Sequence, residues 1–362
     1  MALTALLGLG SLTACGSSSG TSATATSVTT TATASSTTTA ATASKPFKVC
    51  MGTGSATFNW AIGQGQLLQS IAKKEGWSSV VLNNNASATT TLSNVSTFIL
   101  DKCNAVIEFS NVTSVNPILA QKLAAAHIPT ITYDIAQAGW YFVGIDNLKA
   151  GIEGGKALGA AIKQKWNCNI DQLLAAENYK VGLVNTERTD GMITGVLDVC
   201  PNLKNSVTKF VGNGDISSSL PAARSVMAAH PTWTKMAAVG INDDSVVGTL
   251  EAAQQLGRGQ DIIGWGQGGD LITGANVNPD LIGSVFYFLE GYPEWTLPLL
   301  KDIAAGKPPA MGDSTTNPTV LIPPCLTTKA QASSIPDFGT RLQKMMTVNP
   351  GTTENSLYCP AG

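Results

Sequence analysis

Adjacent carboxylates are the residues of this 362-residue chain with the most capacity for acid–base chemistry. Asp243 and Asp244 are neighbours, and with Glu187 they are the residues on which an exported hydrolase or nucleosidase would depend. The pair also precedes a helical pattern that begins near Ser245. Because the N-terminus of a helix favours negative charge, a capping role is the preferred interpretation of both aspartates.

Other signatures of catalysis or cofactor binding are missing from the sequence. His127 and His230 stand at predicted helix ends, where histidine complements the helix dipole, and no second ligand lies at metal spacing. There is no G-x-S-x-G nucleophile elbow, P-loop or dinucleotide fingerprint. We therefore expect no catalytic residue, no metal and no cofactor.

Short apolar runs alternate with helical patterns from residue 46 onward. The runs are continuous rather than alternating, as in strands covered on both faces, while residues such as Ala61, Gly65, Leu68 and Ala72 recur at helical spacing. This order predicts an α/β protein with two doubly wound, flavodoxin-like parallel sheets, whose ligands bind at the carboxyl ends of the strands. The predicted strands are Lys48–Gly52, Ser79–Asn83, Ala105–Phe109, Pro129–Tyr133, Tyr141–Ile145, Val181–Asn185, Met236–Ile241, Asp261–Trp265 and Leu281–Phe286.

Six stretches resemble, in the same order, the periplasmic ribose-binding family of ABC transporters, the type I solute-binding proteins. The most specific is AAVGINDDSVVGTLEAAQQLGR at 237–258. The others are AVIEFSNVTSVNPILAQKLAAAHIPTITYD at 105–134, VGIDNLKAGIEGGKALG at 143–159, VGLVNTERTDGMITGVLDVCPN at 181–202, IIGWGQGGD at 262–270 and IGSVFYFLEGYPEWTLPLLKDIAAGKP at 282–308. The resemblance covers residues 46 to about 310 and implies a periplasmic binding protein type I fold.

The same resemblance implies two discontinuous lobes joined by three crossovers, which close around a ligand as rigid bodies. The crossovers are expected near Asp146, at Gln267–Leu271 and at Phe286–Glu290. The predicted N-terminal lobe comprises residues 46–146 and 288–322, and the C-terminal lobe comprises residues 147–287 and 323–362.

The family's ligand-binding positions map onto several residues of this chain. The first loop holds Phe58, Asn59 and Trp60, and aromatic rings of this kind stack on the C–H faces of sugars. Asp134 corresponds to the family carboxylate that accepts sugar hydroxyls, and Asn242 corresponds to an amide that both donates and accepts.

Three further positions depart from the family pattern. Asp190 stands where the family has arginine, with Arg188 two residues earlier, so either Arg188 reaches the cleft by another route or the ligand is cationic or less hydroxylated. Gln267 stands in place of an aspartate and Tyr287 in place of a glutamine. These departures argue against the common pentose and hexose ligands, so the expected ligand within the family's range is another sugar, a polyol or a sugar-like compound.

The N-terminal region predicts export. Residues 1–14 are an uncharged apolar run, too short to span a bilayer but suited to a secretion signal. Leu12 to Cys15 resembles a bacterial lipobox, which implies lipidation of Cys15, and residues 15–45 are predicted to form a disordered Ser/Thr/Ala tether. A net charge of −2 without a basic cluster excludes nucleic acid as a partner.

The remaining cysteines favour structural disulfides. Apart from Cys15 there are six, an even number with no C-x-x-C pair, and the sequence does not choose among their possible pairings. The hypothesis that neighbours pair gives Cys50–Cys103, Cys168–Cys200 and Cys325–Cys359.

The sequence as a whole favours a monomeric, lipid-anchored solute-binding protein at the cell surface or in the periplasm, whose partners are a small ligand and an ABC permease. A solute sensor or chemoreceptor partner with the same fold is the alternative. An exported α/β hydrolase is the third hypothesis.

Overall fold

Two six-stranded sheets form the framework of the protein in the computed structural model, which describes residues 46–179, 182–273, 276–311 and 318–359. The first sheet contains β1 (Lys48–Thr53), β2 (Ser78–Asn83), β3 (Ala105–Glu108), β4 (Thr130–Tyr133), β5 (Tyr141–Ile145) and β11 (Pro318–Ile322), in the order β11-β5-β4-β3-β1-β2. The second contains β6 (Gln172–Glu177), β7 (Val207–Val211), β8 (Met236–Gly240), β9 (Ile262–Gly268), β10 (Leu281–Phe286) and β12 (Cys325–Thr328), in the order β12-β10-β9-β8-β6-β7.

Helices connect the strands. Every strand pair in both sheets is parallel except β10 with β12, so each parallel connection needs a crossover. The helices are α1 (Asn59–Lys74), α2 (Ala88–Leu100), α3 (Asn116–Ala125), α4 (Asn147–Trp166), α5 (Leu183–Val199), α6 (Ile216–Ala229), α7 (Asp243–Gln255), α8 (Tyr292–Ala304), α9 (Lys329–Ala332), α10 (Phe338–Thr347) and α11 (Glu354–Tyr358). The predicted α/β fold with two doubly wound parallel sheets is confirmed.

One predicted strand is wrong. Residues 183–185 of the expected strand Val181–Asn185 begin α5, and the first strand of the second sheet is β6, which precedes α5 in the chain. The sequence of β6, QLLAAE, is poor in β-branched residues, yet all six residues are buried. Burial between neighbouring strands therefore decides its conformation, because strand preference depends on packing more than on residue type.

The chain passes between the sheets at three places. It leaves the first sheet after β5, returns after β10, and crosses again at Pro323–Pro324 between β11 and β12. The crossover expected at Gln267–Leu271 is wrong, because β9 and β10 on either side of it are paired neighbours in the second sheet.

Within the segment after β12, helix α10 packs away from the second sheet. Leu342 and Met345 of α10 lie in a buried cluster with Leu67 and Ile71 of α1 and Leu297 of α8. Residues 338, 342 and 345 follow the spacing of one helical face, and this face packs on the first lobe. The sequence predicts that all of residues 323–362 belong to the C-terminal lobe, whereas α10 packs on the first lobe.

Three disulfides join the cysteines that are neighbours in the sequence. Cα–Cα distances are 5.9 Å for Cys50–Cys103, 5.4 Å for Cys168–Cys200 and 5.6 Å for Cys325–Cys359. Cys50 lies on β1 and Cys103 immediately precedes β3, its neighbour in the sheet. The first disulfide therefore ties together two adjacent segments of one sheet.

The predicted secretion signal, Cys15 and the tether to residue 45 lie outside the described residues. Among the helices that the structure describes, none is long and apolar enough to cross a membrane.

Glycines allow α4 and α5 to pack in direct backbone contact. A Cβ atom on Gly191 of α5 would lie 2.6 Å from the carbonyl oxygen of Leu148 and 2.9 Å from the Cα of Gly151 on α4. The obstructing atoms belong to the backbone, so they have no side-chain rotation with which to give way. This contact supports the start of α5, which carries Arg188.

Replacing Gly191 with alanine is expected to push α4 and α5 apart and lower the free energy of unfolding by about 1–3 kcal/mol. Gly339→Ala is the matched control, since the nearest described atom that its added Cβ would meet, outside its own chain neighbours and helix backbone, is the Asp337 side chain at 3.3 Å. The control should leave stability unchanged or raise it by up to about 1 kcal/mol. Urea denaturation measures both, and equal effects would contradict the close-packing interpretation.

Candidate functional site

A cleft of about 540 Å³ lies where the carboxyl ends of both sheets meet. From the first sheet, its wall includes Trp60, Phe109 and Asp134, which follow β1, β3 and β4. The second sheet contributes Asn242 after β8 and Tyr287 after β10. The cleft therefore occupies the position where doubly wound sheets bind ligands.

The structure brings together all the predicted cleft residues except Asp190. The residues placed in the cleft wall are Phe58, Asn59, Trp60, Asp134, Arg188, Asn242, Gln267 and Tyr287. Asp190 pairs instead with the Lys209 ammonium group, which also lies 3.0 Å from the buried carboxylate of Glu177. Residues 188 and 190 are about 200° apart around the axis of α5, so only one of them can face the cleft. Of the two sequence alternatives, the structure shows Arg188 reaching the cleft.

Asp134 is a buried carboxylate immediately after β4, with a positive φ of 56°. Its Oδ1 accepts hydrogen bonds from the Ile145 backbone N–H at 3.3 Å and from the Tyr292 hydroxyl at 3.0 Å. Burial raises the pKa of Asp134, and the positive charge of Arg188 opposes this rise. The site therefore places an oriented acceptor from the first sheet near a cation from the second.

Arg188 is oriented by three contacts. Its Nε donates to Asn147 Oδ1 at 2.7 Å, and its Nη1 donates to the Ile241 carbonyl oxygen at 3.4 Å. The guanidinium carbon also lies 4.6 Å from the centroid of the Tyr287 ring, a cation–π distance. These contacts hold the guanidinium group at the cleft wall while its planar fork remains suited to vicinal oxygen atoms.

Gln267 and Tyr287 form the buried floor beside Arg188. The Tyr287 hydroxyl donates to Gln267 Oε1, and Gln267 Nε2 donates to the carbonyl oxygens of Arg188 and Gly240, each at 3.3 Å. Burial raises the pKa of Tyr287, so its hydroxyl remains a hydrogen-bond donor at neutral pH. Gln267 thus shapes the cleft mainly by holding its neighbours.

Asn242 caps α7. Its Oδ1 accepts from the Ser245 backbone N–H at 3.0 Å, and its Nδ2 donates to the Gly214 carbonyl oxygen at 2.8 Å. The helix begins at Asp243 rather than near Ser245, so the two aspartates occupy its first turn and Asn242 performs the capping. These two hydrogen bonds of Asn242 also fix the conformation of the cleft-facing loop between β8 and α7.

Aromatic rings line the first-lobe side of the cleft. Phe58 and Trp60 are stacked, with centroids 5.5 Å apart and an interplanar angle of 18°. Trp60 also meets Phe109 edge-on, with centroids 5.1 Å apart. This side offers an apolar surface opposite the charged and amide groups, an arrangement suited to a ring with one C–H face and several hydroxyls.

Comparison with known sequences identifies the family. The profile of the family described as "Periplasmic binding protein domain" matches residues 49–308, which is most of the chain. The chain belongs to the periplasmic binding protein family. No curated protein matches it by sequence.

Solved structures share the fold at low sequence identity. A periplasmic solute-binding protein of an ABC transporter from Actinobacillus succinogenes 130z, with bound D-allose, has a TM-score of 0.62 and 16% identity over 80% of this chain and 99% of that chain. An ABC transporter solute-binding protein from Bacillus halodurans C-125, with bound myo-inositol, has a TM-score of 0.62 and 15% identity over 80% and 96%. The Caulobacter myo-inositol binding protein has a TM-score of 0.63 and 16% identity over 82% and 97%.

The C-terminal segment adds cleft residues that the sequence reasoning missed. Asp337, Phe338 and Arg341 line the cleft, although the family match ends at residue 308. The spacing of Phe338, Leu342 and Met345 indicates a helix, but helical spacing alone does not say which lobe the helix covers.

Glu108 supports the cleft wall from behind. This buried residue ends β3 next to Phe109, and its carboxyl accepts a hydrogen bond from Asn84, whose Nδ2 also donates to the Phe109 carbonyl oxygen at 3.2 Å. Burial raises the pKa of Glu108 to about 8, and the Asn84 bond only partly opposes the rise. The folded protein therefore keeps this carboxyl neutral at pH 7.

Stability is expected to depend on the proton held by Glu108. The raised pKa means that between about pH 4.5 and 8 the folded state retains a proton that the unfolded state has lost, so the free energy of unfolding falls as pH rises through this window. Glu108→Gln should make that decline shallower by up to about 1.4 kcal/mol per pH unit. Urea denaturation at pH 5, 6, 7 and 8 compares the slopes, and parallel slopes in the two proteins would refute the assignment.

Proposed function

We propose that this protein is the extracytoplasmic solute-binding component of an ABC importer, capturing a small sugar or polyol between its two lobes. The observation that carries the proposal is the meeting of Asp134 from the first sheet and Arg188 from the second in one cleft with an aromatic side. Membership of the periplasmic binding protein family supports an exported carrier. The bound D-allose and myo-inositol of two structural neighbours support the ligand class.

The binding chemistry follows from the charges and surfaces of the cleft. Asp134 accepts hydrogen bonds from ligand hydroxyls, and Arg188 donates to vicinal oxygen atoms from the opposite lobe. Trp60 and Phe58 cover the apolar face of the ring. A ligand that spans both groups stabilises the closed arrangement, because neither lobe alone provides the full set of contacts.

Closure occurs between lobes that follow the sheets. Residues 46–146 and 288–322 form one lobe in this proposal, and residues 147–287 with 323–328 form the other. The three passages of chain between the sheets act as the hinge.

Binding without catalysis is also part of the proposal. The Asp243 carboxylate that a hydrolase would use is buried, and it accepts hydrogen bonds from Ser284 Oγ at 2.7 Å and from the Leu271 backbone N–H at 3.0 Å. It therefore stabilises the loop after β9, and Asp244 is the member of the pair that lines the cleft. Asp243 and Asp244 therefore do not face the cleft together, so the adjacent pair does not supply the two facing carboxyl groups that acid–base hydrolysis of a glycoside requires.

Asp134→Asn is expected to weaken saccharide binding by about tenfold or more, because the amide keeps the shape and tolerates positive φ but replaces one of the two oxygen acceptors for ligand hydroxyls with an NH₂ donor. Asp190→Asn, the same substitution outside the cleft, should change the affinity by less than about twofold. Thermal-shift and calorimetric titration with D-allose, myo-inositol, D-ribose and D-galactose provide the measurement. The proposal fails if wild-type protein binds none of a broad panel of sugars and polyols, or if the two variants bind alike.

We further propose that Cys15 carries the lipid anchor and that the polar stretch from residue 16 to residue 44 is the tether between membrane and binding domain. The lipobox-like sequence ending at Cys15 supports this proposal. Two acyl chains give a durable anchor where one does not. Mass spectrometry of the mature protein is expected to find a chain that starts at an acylated Cys15. An unmodified Cys15 would rule the anchor out.

A further inference from the structure

Residues 329–359, here called the C-terminal strap, contact both lobes. The strap begins with α9 beside β10 and β12 of the second sheet, continues as α10 on the first lobe, and returns to the second sheet through the Cys325–Cys359 disulfide. It lies wholly beyond the family match, which ends at residue 308. The family match therefore does not account for the strap.

Apolar packing holds the middle of the strap on the first lobe. Leu342 and Met345 are buried against Leu67, Ile71 and Leu297. Polar contacts continue the attachment at the end of α10. Lys74 Nζ donates to the Val348 carbonyl oxygen at 2.7 Å, and the Gly351 N–H donates to Glu294 Oε2 at 2.5 Å.

A buried ion cluster fixes the orientation of α10. Arg341 Nη2 lies 2.5 Å from Glu290 Oε1, its Nε lies 3.3 Å from Glu354 Oε1, and all three side chains are buried. Burial raises the pKa of Glu354 well above its ordinary value, and the nearby positive charge of Arg341 opposes the rise. Glu290 belongs to the passage from the second sheet to the first, which places the cluster at the hinge.

The orientation fixed by this cluster turns the first residue of α10 toward the cleft. Phe338 is half-buried, lines the cleft, and packs its ring against α1 at Gly63. A Cβ atom on Gly63 would lie 2.9 Å from Phe338 Cζ, so the glycine leaves the space that the ring occupies. Helix α1 begins with Asn59 and Trp60, which also line the cleft. Because Phe338 packs on this helix at Gly63, its ring extends the aromatic side of the cleft.

We propose that the C-terminal strap is a third wall of the cleft and that Phe338 contacts the apolar C–H surface of the bound sugar or polyol. This inference rests on the proposed function. The rings of Phe58, Trp60 and Phe338 provide apolar surface, while the charged and amide groups of the cleft satisfy hydroxyls. Because the strap is attached to both lobes, the wall stays beside the ligand as the lobes close.

Calorimetric titration of the full disulfide-bonded protein with D-allose and with myo-inositol tests this contact. Phe338→Ala is expected to raise the Kd of the tighter-binding compound about tenfold, which corresponds to about 1.4 kcal/mol. Phe338→Tyr keeps the ring face and should stay within about threefold of wild type. Met346→Ala truncates another half-buried apolar side chain of α10, one that packs on the first lobe away from the cleft, and should change the Kd by less than about twofold.

The outcomes separate this inference from the proposed function. If the wild-type protein binds and the Phe338→Ala and Met346→Ala variants have equal Kd values, Phe338 does not contact the ligand. The proposed carrier function is then unaffected. Equal weakening by Phe338→Tyr and Phe338→Ala also overturns it, because the ring face would then not be what the ligand recognises. If wild-type protein binds neither compound, the titration uses the member of the broader sugar and polyol panel that binds most tightly. If no member of that panel binds, the proposed ligand class fails and the assignment of Phe338 falls with it.

Discussion

A buried carboxylate at the meeting point of two sheets is the constraint on which the rest of the site depends. Removing Asp134 from water disfavours its charged form, and the surrounding structure offsets part of this cost with a backbone N–H, the Tyr292 hydroxyl and the charge of Arg188. These partners come from three different parts of the chain, and only the folded arrangement of both sheets brings them together. The cleft is therefore a product of the same packing that forms the two lobes.

In the second lobe, the position of the Arg188 guanidinium group also depends on residues from several elements. Arg188 stands on α5, whose first turns pack on α4 through glycines, and its side chain is oriented by Asn147 from α4 and Tyr287 from the hinge. Tyr287 is in turn bonded to Gln267, which bonds back to the Arg188 carbonyl oxygen. Three of the predicted ligand residues thus form one connected network, in which a change at any member alters the position of the others.

The C-terminal strap adds a third group of residues to the wall of the cleft. Its packing on α1 uses an apolar helical face, and its orientation depends on a buried arginine with two carboxylates at the hinge. Breaking such a cluster is costly because it leaves a buried charge without a partner, so the position of α10 is strongly determined. The cleft wall of this chain consequently includes residues beyond the family match, which ends at residue 308.

The sequence by itself determined the fold class and most strands, because continuous apolar runs and helical spacing are local properties that survive at low identity. The family resemblance added eight residues that line the cleft. The sequence did not determine β6, whose Ala- and Glu-containing run is a strand only because neighbouring strands bury it. It left Arg188 and Asp190 undecided, and the helical phase of α5 decided between them. The packing of α10 on the first lobe, with Phe338 in the cleft, was likewise a tertiary outcome. An amphipathic helix specifies which of its faces is buried, and only the assembled protein specifies the surface that buries it.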